Sequence, residues 1–277
     1  MISRPHPWNG DFRWVTPRGP FRRVTVEQAA QFDELGFVVL EDMFEPELIE
    51  RLTEELDRFE LNVDAFLRTQ ADERIMIAES GAITFTLHLV AQSEIARTFA
   101  THDVFLDLCD DLLGPDVDMY WDQAVQKKPE KPRRFPWHQD NGYTFIEPQQ
   151  YLTCWVALTD ATVDNGCPWV APGMHRMGTL AHRYIDPLGY ECFEEPASKL
   201  AAPVRAGGIV VFSSLTPHMT GPNVTSEVRK AYILQYSHAG SEVLRGDPDA
   251  GPPLHREPCN DPKRQFPILR SGVRVDT

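Results

Sequence analysis

Hydrophobic residues recur at helical spacing along three stretches of the N-terminal part of the chain. The first follows Thr25, which matches a capping box with Gln28 three residues later, and it stops at Gly36. The second covers residues 45–60, with an apolar stripe opposite a charged face, and the third covers residues 103–113 before a Gly-Pro pair. The pattern predicts three helices, with one short strand, GFVVLE, between the first and the second.

After residue 115 the pattern changes to short apolar runs separated by Pro, Gly and Asn. Turn-forming residues at such intervals are typical of connections between short strands. Residues 241–277 show little periodicity and are expected to form an irregular tail over the strands. We therefore predict a single domain, 1–277, in which a mainly helical segment, 1–115, supports a β-sandwich or barrel at 116–240. The five strand-like runs are DMYWDQAVQKKP, YLTCWVALTDA, CPWVAPG, APVRAGGIVVFSS and RKAYILQYSHAG.

The amino-acid composition limits the classes of molecule that this chain is expected to bind. The net charge of −14 and the pI near 5.0 argue against a nucleic-acid or anionic-membrane partner. The five cysteines are widely separated and form no C-x-x-C pair, which favours reduced thiols. The first residues lack the apolar core of a signal peptide, and no run approaches 18 apolar residues. We expect a cytoplasmic protein, with a monomer as the simplest state and the oligomeric state left open.

The stretch FPWHQDNGYTF contains His138 and Asp140, one residue apart, between aromatic residues. A chain with 9 histidines contains such a triplet by chance often enough that the pair needs a third ligand. On a strand, the two side chains would share one face, because side chains alternate with period two. The pair predicts two ligands of one metal only if a distant segment supplies another.

His218 is the strongest candidate for that third ligand. It follows the apolar run GGIVVFSS and precedes a Gly-Pro turn, while Arg229 opens the next strand. Adjacent antiparallel strands would bring these two residues together, and a buried arginine needs an anion, which a bound organic acid would supply. Two histidines and one carboxylate form the facial triad of non-haem Fe(II) sites. The other histidines are expected to be structural or solvated, with His175 capping the backbone of a turn.

In the pattern of His138, Asp140, His218 and Arg229, the chain resembles the phytanoyl-CoA dioxygenase-like family of Fe(II)/2-oxoglutarate-dependent oxygenases. The resemblance covers about residues 26–240 and is strongest in PWHQDNGY, in CWVALTDATVDNGCPWVAPGMH and in HMTGPN followed by Arg229. It departs from the family at Met174, where a serine is usual. The resemblance implies a mainly β fold with flanking helices, built on a double-stranded β-helix (jelly roll, cupin-like) core.

The resemblance also implies a reaction. His138, Asp140 and His218 would bind Fe(II), with 2-oxoglutarate and O2 at the remaining positions, and a small-molecule substrate would be hydroxylated with release of succinate and CO2. Related halogenases carry a small residue where this chain has Asp140, so the carboxylate favours hydroxylation. Two alternatives remain open. One is a cupin-like metal-binding protein without a cosubstrate, and the other is a non-catalytic member of the family.

The resemblance assigns four residues to 2-oxoglutarate. Arg229 would pair with its far carboxylate and Thr220 would add a hydroxyl hydrogen bond. Gln123 and Trp155 would line the same pocket, although a strand-end amide and a core tryptophan are equally consistent with the pattern.

The substrate is the least determined feature. Four aromatic residues, Trp137, Tyr143, Phe145 and Trp169, flank the motifs and are expected either in a pocket wall or in the core. The basic run KKPEKPRR, residues 127–134, precedes the proposed metal ligands in an otherwise acidic chain. It favours either a solvated loop or a cationic rim that attracts an anionic substrate.

Overall fold

A computed structural model describes residues 4–10, 12–129 and 135–275 of the chain. The first helix has the predicted capping box, since Thr25 and Gln28 exchange side-chain-to-backbone hydrogen bonds, and it ends at Gly36 in the left-handed conformation. No helix within the described ranges has the length and apolar character needed to cross a bilayer. The α-helices are α1 Val26–Leu35, α2 Pro46–Leu67, α3 Glu94–Ala100 and α4 Asp103–Leu112, with 3-10 helices at Ala71–Glu73, Leu89–Ala91, Asp140–Gly142 and Met174–Met177.

The described residues also form eighteen strands, most of them short. They are β1 Phe37–Leu40, β2 Arg74–Ile75, β3 Ala78–Glu79, β4 Ile83–Leu87, β5 Val117–Lys127, β6 Ile146–Glu147, β7 Leu152–Ala157, β8 Pro168–Val170, β9 Arg183–Ile185, β10 Gly189–Glu191, β11 Leu200–Ala201, β12 Ile209–Ser213, β13 His218–Thr220, β14 Arg229–His238, β15 Glu242–Arg245, β16 His255–Pro258, β17 Pro267–Arg270 and β18 Val273–Arg274.

All the strand pairs among the residues that the structure describes are antiparallel. The largest sheet has the order β1-β12-β7-β14-β5-β4-β3-β2, and β17 joins it by pairing with β5. The sheet β11-β8-β13 is smaller, and its buried side chains pack into one cluster with those of the largest sheet. Two further small sheets are β16-β15-β6 and β9-β10. Two antiparallel sheets closed over a shared core are the architecture of a jelly roll, so the predicted fold class is confirmed.

Side chains alternate along the central strands, so that one set faces the helices and the other set faces the interior of the jelly roll. On β14, Tyr232 and Leu234 pack with the helices, whereas Ala231 and Ile233 pack inside the jelly roll. On β7, Cys154 faces the helices in the same way. The period of two therefore sends every second side chain of the largest sheet toward the interior, where a site can form.

The C-terminal segment differs from the sequence expectation. Residues 241–277 were expected to be irregular, but their described part contains the four strands β15 to β18. Leu269 pairs with Val117, and the neighbouring Ile268 is fully buried. These strands have only two to four residues, too few to show a period of two, so local periodicity cannot reveal them. The segment α3 and the strands β2 to β4 were missed because they are also short, and α2 extends to Leu67 rather than residue 60.

Asp64 connects the end of α2 to the strands that follow it. Its carboxylate accepts hydrogen bonds from the Gly81 N–H at 3.0 Å, from Lys128 at 3.1 Å and from Arg68 at 3.0 Å. Burial by itself raises the pKa of Asp64, but these three donors outweigh it and hold the pKa well below its usual range. The carboxylate thus ties the helix to the turn between β3 and β4 and to the end of β5.

We expect Asp64→Ala to lower the free energy of unfolding by about 1–3 kcal/mol, because the Gly81 N–H and Arg68 lose their acceptor and Lys128 loses one of its two carboxylate partners. Urea denaturation measures the change. The exposed Glu50→Ala on the same helix is the control, with a change within about 0.5 kcal/mol. Since the folded pKa of Asp64 lies below that of the unfolded chain, the difference should persist at neutral pH and shrink as the pH falls below about 4. Equal stability of the two variants would contradict this role.

Candidate metal centre

His138 and His218 face each other across an antiparallel backbone pair. The N–H of His138 donates to the carbonyl of His218 at 3.0 Å, and the N–H of His218 donates to the carbonyl of His138 at 2.8 Å. Opposed residues of an antiparallel pair project to the same face, and the two ring centroids lie 4.3 Å apart. The backbone therefore fixes the relative position of two side chains that are distant in sequence.

Each imidazole is oriented by a hydrogen bond to its own segment. His138 Nδ1 lies 3.1 Å from the carbonyl oxygen of Pro136, and His218 Nδ1 lies 3.0 Å from that of Thr216. A carbonyl oxygen only accepts, so Nδ1 carries the proton in both rings and the Nε2 lone pair is left to bind a metal. Burial lowers the pKa of each histidine to about 4, so both rings are neutral at pH 7.

Asp140 completes a cluster of three donors. Its Oδ1 lies 3.7 Å from His218 Nε2, and one donor atom from each of the three residues lies within 4.8 Å of the others. Its Oδ2 accepts a 2.6 Å hydrogen bond from the Thr153 hydroxyl. Burial raises the pKa of Asp140, while His138 and hydrogen bonds from Thr153 and Gln235 lower it. One carboxylate oxygen is thus held by a neighbour and the other is left for the centre of the cluster.

The three donors fit Fe(II). Two neutral imidazole nitrogens and one carboxylate oxygen form the facial triad of non-haem iron sites, which leaves further coordination positions open. The 3.7 Å between Asp140 Oδ1 and His218 Nε2 allows one ion to lie about 2 Å from both atoms. In one respect the sequence expectation was wrong. The ligand pair does not lie on one strand, because His138 forms an isolated bridge and Asp140 begins the 3-10 helix Asp140–Gly142.

The residues beside these donors hold the loop in place. Gln139 is fully buried, and its side-chain amide makes three hydrogen bonds to backbone groups of other loops. The buried Asn141 makes two more hydrogen bonds through its side chain. A Cβ at Gly142 would lie 2.0 Å from the ring of His182, whose Nε2 accepts the Gln139 N–H at 3.0 Å. The motif HQDN therefore alternates candidate ligands with residues that anchor the backbone.

A cavity of about 670 Å³ opens beside the three donors. Gln123, Trp155, Thr220 and Arg229 all line it, as the sequence predicted for a cosubstrate pocket. Arg229 is fully buried at the start of β14, with its guanidinium carbon 5.1 Å from the centre of the Trp155 ring. The Gln123 side chain accepts a 3.3 Å hydrogen bond from the Trp121 ring N–H. The structure thus brings all seven predicted site residues around one cavity.

Lys127 lies beside this pocket, directly opposite Arg229 in the pairing of β5 with β14. It is fully buried, and its Nζ donates to the Thr220 hydroxyl at 3.2 Å and to the Gly221 carbonyl at 2.5 Å. A lysine ammonium group has no acceptor, so the Thr220 oxygen accepts and the hydroxyl proton is left to be donated elsewhere. The next residue, Lys128, pairs instead with two carboxylates of α2.

Other expectations about the surroundings are met only in part. Tyr143 lines the cavity, whereas Trp137 is buried in a separate cluster, with Trp169 packed against that cluster. Phe145 contacts aromatic rings of the N-terminal segment. The remainder of the basic run, residues 130–134, lies outside the described residues.

Sequence reasoning missed two residues that contact Asp140. Thr153 stands two residues before Trp155 on β7, and Gln235 stands six residues after Arg229 on β14. In both strands the even spacing puts the missed residue on the same face as a residue already assigned to the pocket. The alternation was the signal that could have identified both.

Comparison with known proteins agrees with this geometry. The family model for phytanoyl-CoA dioxygenase (PhyH) matches residues 32–231, more than half of the chain. The chain belongs to the PhyH family of Fe(II)/2-oxoglutarate-dependent oxygenases. The family expected from the sequence is confirmed.

Relatives of this PhyH chain are moderately similar in sequence. Human peroxisomal phytanoyl-CoA dioxygenase is 25% identical over 80% of this chain and 70% of its own length. A phytanoyl-CoA dioxygenase of Arabidopsis thaliana is 32% identical over 103 residues, which are 35% of this chain and only 36% of that protein. The crystal structure of EvdO2 from Micromonospora carbonacea var. aurantiaca complexed with 2-oxoglutarate is 25% identical, with a TM-score of 0.57, and the match covers 86% of this chain and 97% of that one.

We expect Thr153→Val to weaken Fe(II) binding by about 10–100-fold, because Asp140 then loses the donor that holds its Oδ2. Anaerobic equilibrium titration with Fe(II) measures the affinity. Thr153→Ser retains the hydroxyl and should stay close to the parent protein. If valine and serine weaken iron binding equally, the hydrogen bond to Asp140 does not support the site.

Proposed function

We propose that this PhyH protein hydroxylates a C–H bond of an organic substrate. The balanced reaction converts substrate R–H, O2 and 2-oxoglutarate into R–OH, succinate and CO2. The observation that carries the proposal is the convergence of three metal-type donors and one buried arginine on a single cavity. The donors suit iron and the arginine suits a dicarboxylate, so the cavity has a group for each component.

In this proposal His138, Asp140 and His218 hold the iron. Their donors are already oriented, because both Nδ1 atoms bond to carbonyl oxygens and the Asp140 Oδ2 bonds to Thr153. Such partners fix the direction of each ligand before the metal arrives, which lowers the ordering cost of binding. Iron and 2-oxoglutarate, when bound, supply the oxidising chemistry, and the chain supplies position and a site shielded from water.

Arg229 is proposed to bind the far carboxylate of 2-oxoglutarate. A guanidinium group presents paired N–H donors that match both oxygens of a carboxylate. The Trp155 ring beside it restricts the plane of the fork. Thr220, whose oxygen accepts from Lys127, has its hydroxyl proton available as a further donor to the same carboxylate.

The proposal predicts a weak visible absorption band when the protein receives Fe(II) and 2-oxoglutarate without oxygen, because chelation by the keto acid creates a charge-transfer transition. Admission of O2 should then yield succinate. Alanine at His138, Asp140 or His218 should abolish both signals. Iron binding without the band or succinate would indicate instead a metal-binding protein that uses no cosubstrate.

Arg229→Leu should raise the KM for 2-oxoglutarate by at least tens-fold with iron content unchanged, because it leaves a buried carboxylate without its cation, a loss of about 2–5 kcal/mol. Succinate formation at varied 2-oxoglutarate measures the KM. Lys230→Leu is the matched control, since the next residue on β14 pairs with Asp57 of α2 instead. An unchanged KM in Arg229→Leu would assign Arg229 to structure rather than to the cosubstrate.

A further inference from the structure

The wall of the cavity is almost free of charge. Apart from the two histidines, the acidic and basic side chains among the described residues that line it are Asp140 and Arg229, and the proposed function assigns both of them to iron and 2-oxoglutarate. Most of the remaining lining side chains are aliphatic or aromatic. No described charge on the wall is therefore left to bind a charged substrate, and a polar substrate would face an apolar wall.

Much of this apolar wall comes from the end of α2 and from the strands β2 to β4, which lie at one end of the largest sheet. The last turns of α2 contribute Val63, Phe66 and Leu67. The strands β2 to β4 and their connections contribute Ile75, Met76, Phe85 and others. Asp64 ties these two elements together from the end of α2, as described above.

The apolar surface continues to the opening of the cavity. Phe66 is 54% exposed and Ile75 is 45% exposed, and both line the cavity. Exposed apolar side chains that gather at a cavity mouth are a feature of ligand-binding grooves, because water contact with them is unfavourable until a ligand covers them. These side chains are placed to contact a substrate that extends from the iron to the surface.

We propose that the substrate is a large lipophilic molecule with an uncharged hydrocarbon body. This inference rests on the proposed function and names its substrate class. The reacting carbon would lie beside the iron, and the body would pack between the end of α2 and the β2 to β4 segment. Small zwitterions and phosphorylated substrates are disfavoured, because the described wall offers them no counter-charge.

Binding can be measured without turnover by using two fluorescent probes with the same ring body. N-phenyl-1-naphthylamine is neutral, and 8-anilino-1-naphthalenesulfonate carries one negative charge. The protein is loaded anaerobically with Fe(II) and 2-oxoglutarate, so that Asp140 and Arg229 are occupied. We expect the neutral probe to bind at least about tenfold more tightly than the sulfonate. Equal or tighter binding of the sulfonate would overturn the proposal.

Substitutions at the mouth test where the neutral probe binds. The double variant Phe66→Gln/Ile75→Gln removes apolar contact at exposed positions and should raise the probe Kd about tenfold. Leu61→Gln is the matched control, because Leu61 is 69% exposed on the same helix and does not line the cavity. Equal effects of the two changes would show binding to general surface rather than to the cavity, and would overturn the proposal. Thermal unfolding checks that each variant is folded.

Turnover gives an independent readout. A long-chain alcohol, its carboxylic acid and its acyl-CoA are compared as stimulants of O2-dependent succinate formation. We expect the alcohol to stimulate and the two anions to stimulate less. Stimulation by the acid or the acyl-CoA alone would overturn the proposal in favour of an anionic substrate. If the proposed function itself fails, none of the three compounds will yield succinate. Probe binding does not require turnover, so the preference of the cavity for the neutral probe tests the substrate class separately.

Discussion

The antiparallel backbone pair between His138 and His218 is the constraint on which the candidate site depends. Two hydrogen bonds lock two distant segments in register, so the imidazoles must face each other across a short gap. Asp140 then reaches the same point because the chain turns into a 3-10 helix directly after the bridge. A slip of one residue in this register would send a histidine to the opposite face and separate the donors.

Burial of these polar donors raises the free energy of the folded state, and the surrounding hydrogen bonds offset that increase. The pKa of each histidine is lowered to about 4 by burial, which keeps the rings neutral. The side chains of Gln139 and Asn141 lie buried beside them and bond to backbone groups, to a neighbouring hydroxyl and to the start of β6. A fully bonded polar network in a site of low dielectric is rigid, so the donors are arranged before a metal binds.

Two groups of structural elements line the cavity, and they contribute different kinds of side chain. The strands of the jelly roll carry the donors, the arginine and the residues that orient them, because alternation directs one face of each strand inward. The end of α2 and the strands β2 to β4, at one end of the largest sheet, contribute much of the apolar wall, together with core residues such as Phe212 and Ile233. The same core can therefore serve different substrates when the attached wall changes, in keeping with the general separation of fold from specificity.

The sequence by itself determined the capped first helix, the five principal strand runs, the fold class and the seven residues that surround the cavity. The capping box of Thr25 and Gln28 and the spacing of His138 and Asp140 are local signatures, whereas the jelly-roll fold and the assignment of Gln123 and Trp155 followed from the family resemblance. The tertiary structure alone decided the strands after residue 240, the roles of Thr153 and Gln235, and the apolar wall. The strands after residue 240 and the wall depend on contacts with other elements, such as β15 with β6 and β17 with β5, rather than on a pattern within each segment. A two-residue strand, a hydroxyl on a buried strand or an exposed Phe66 has no distinctive local pattern, and acquires its role only when a distant partner packs beside it.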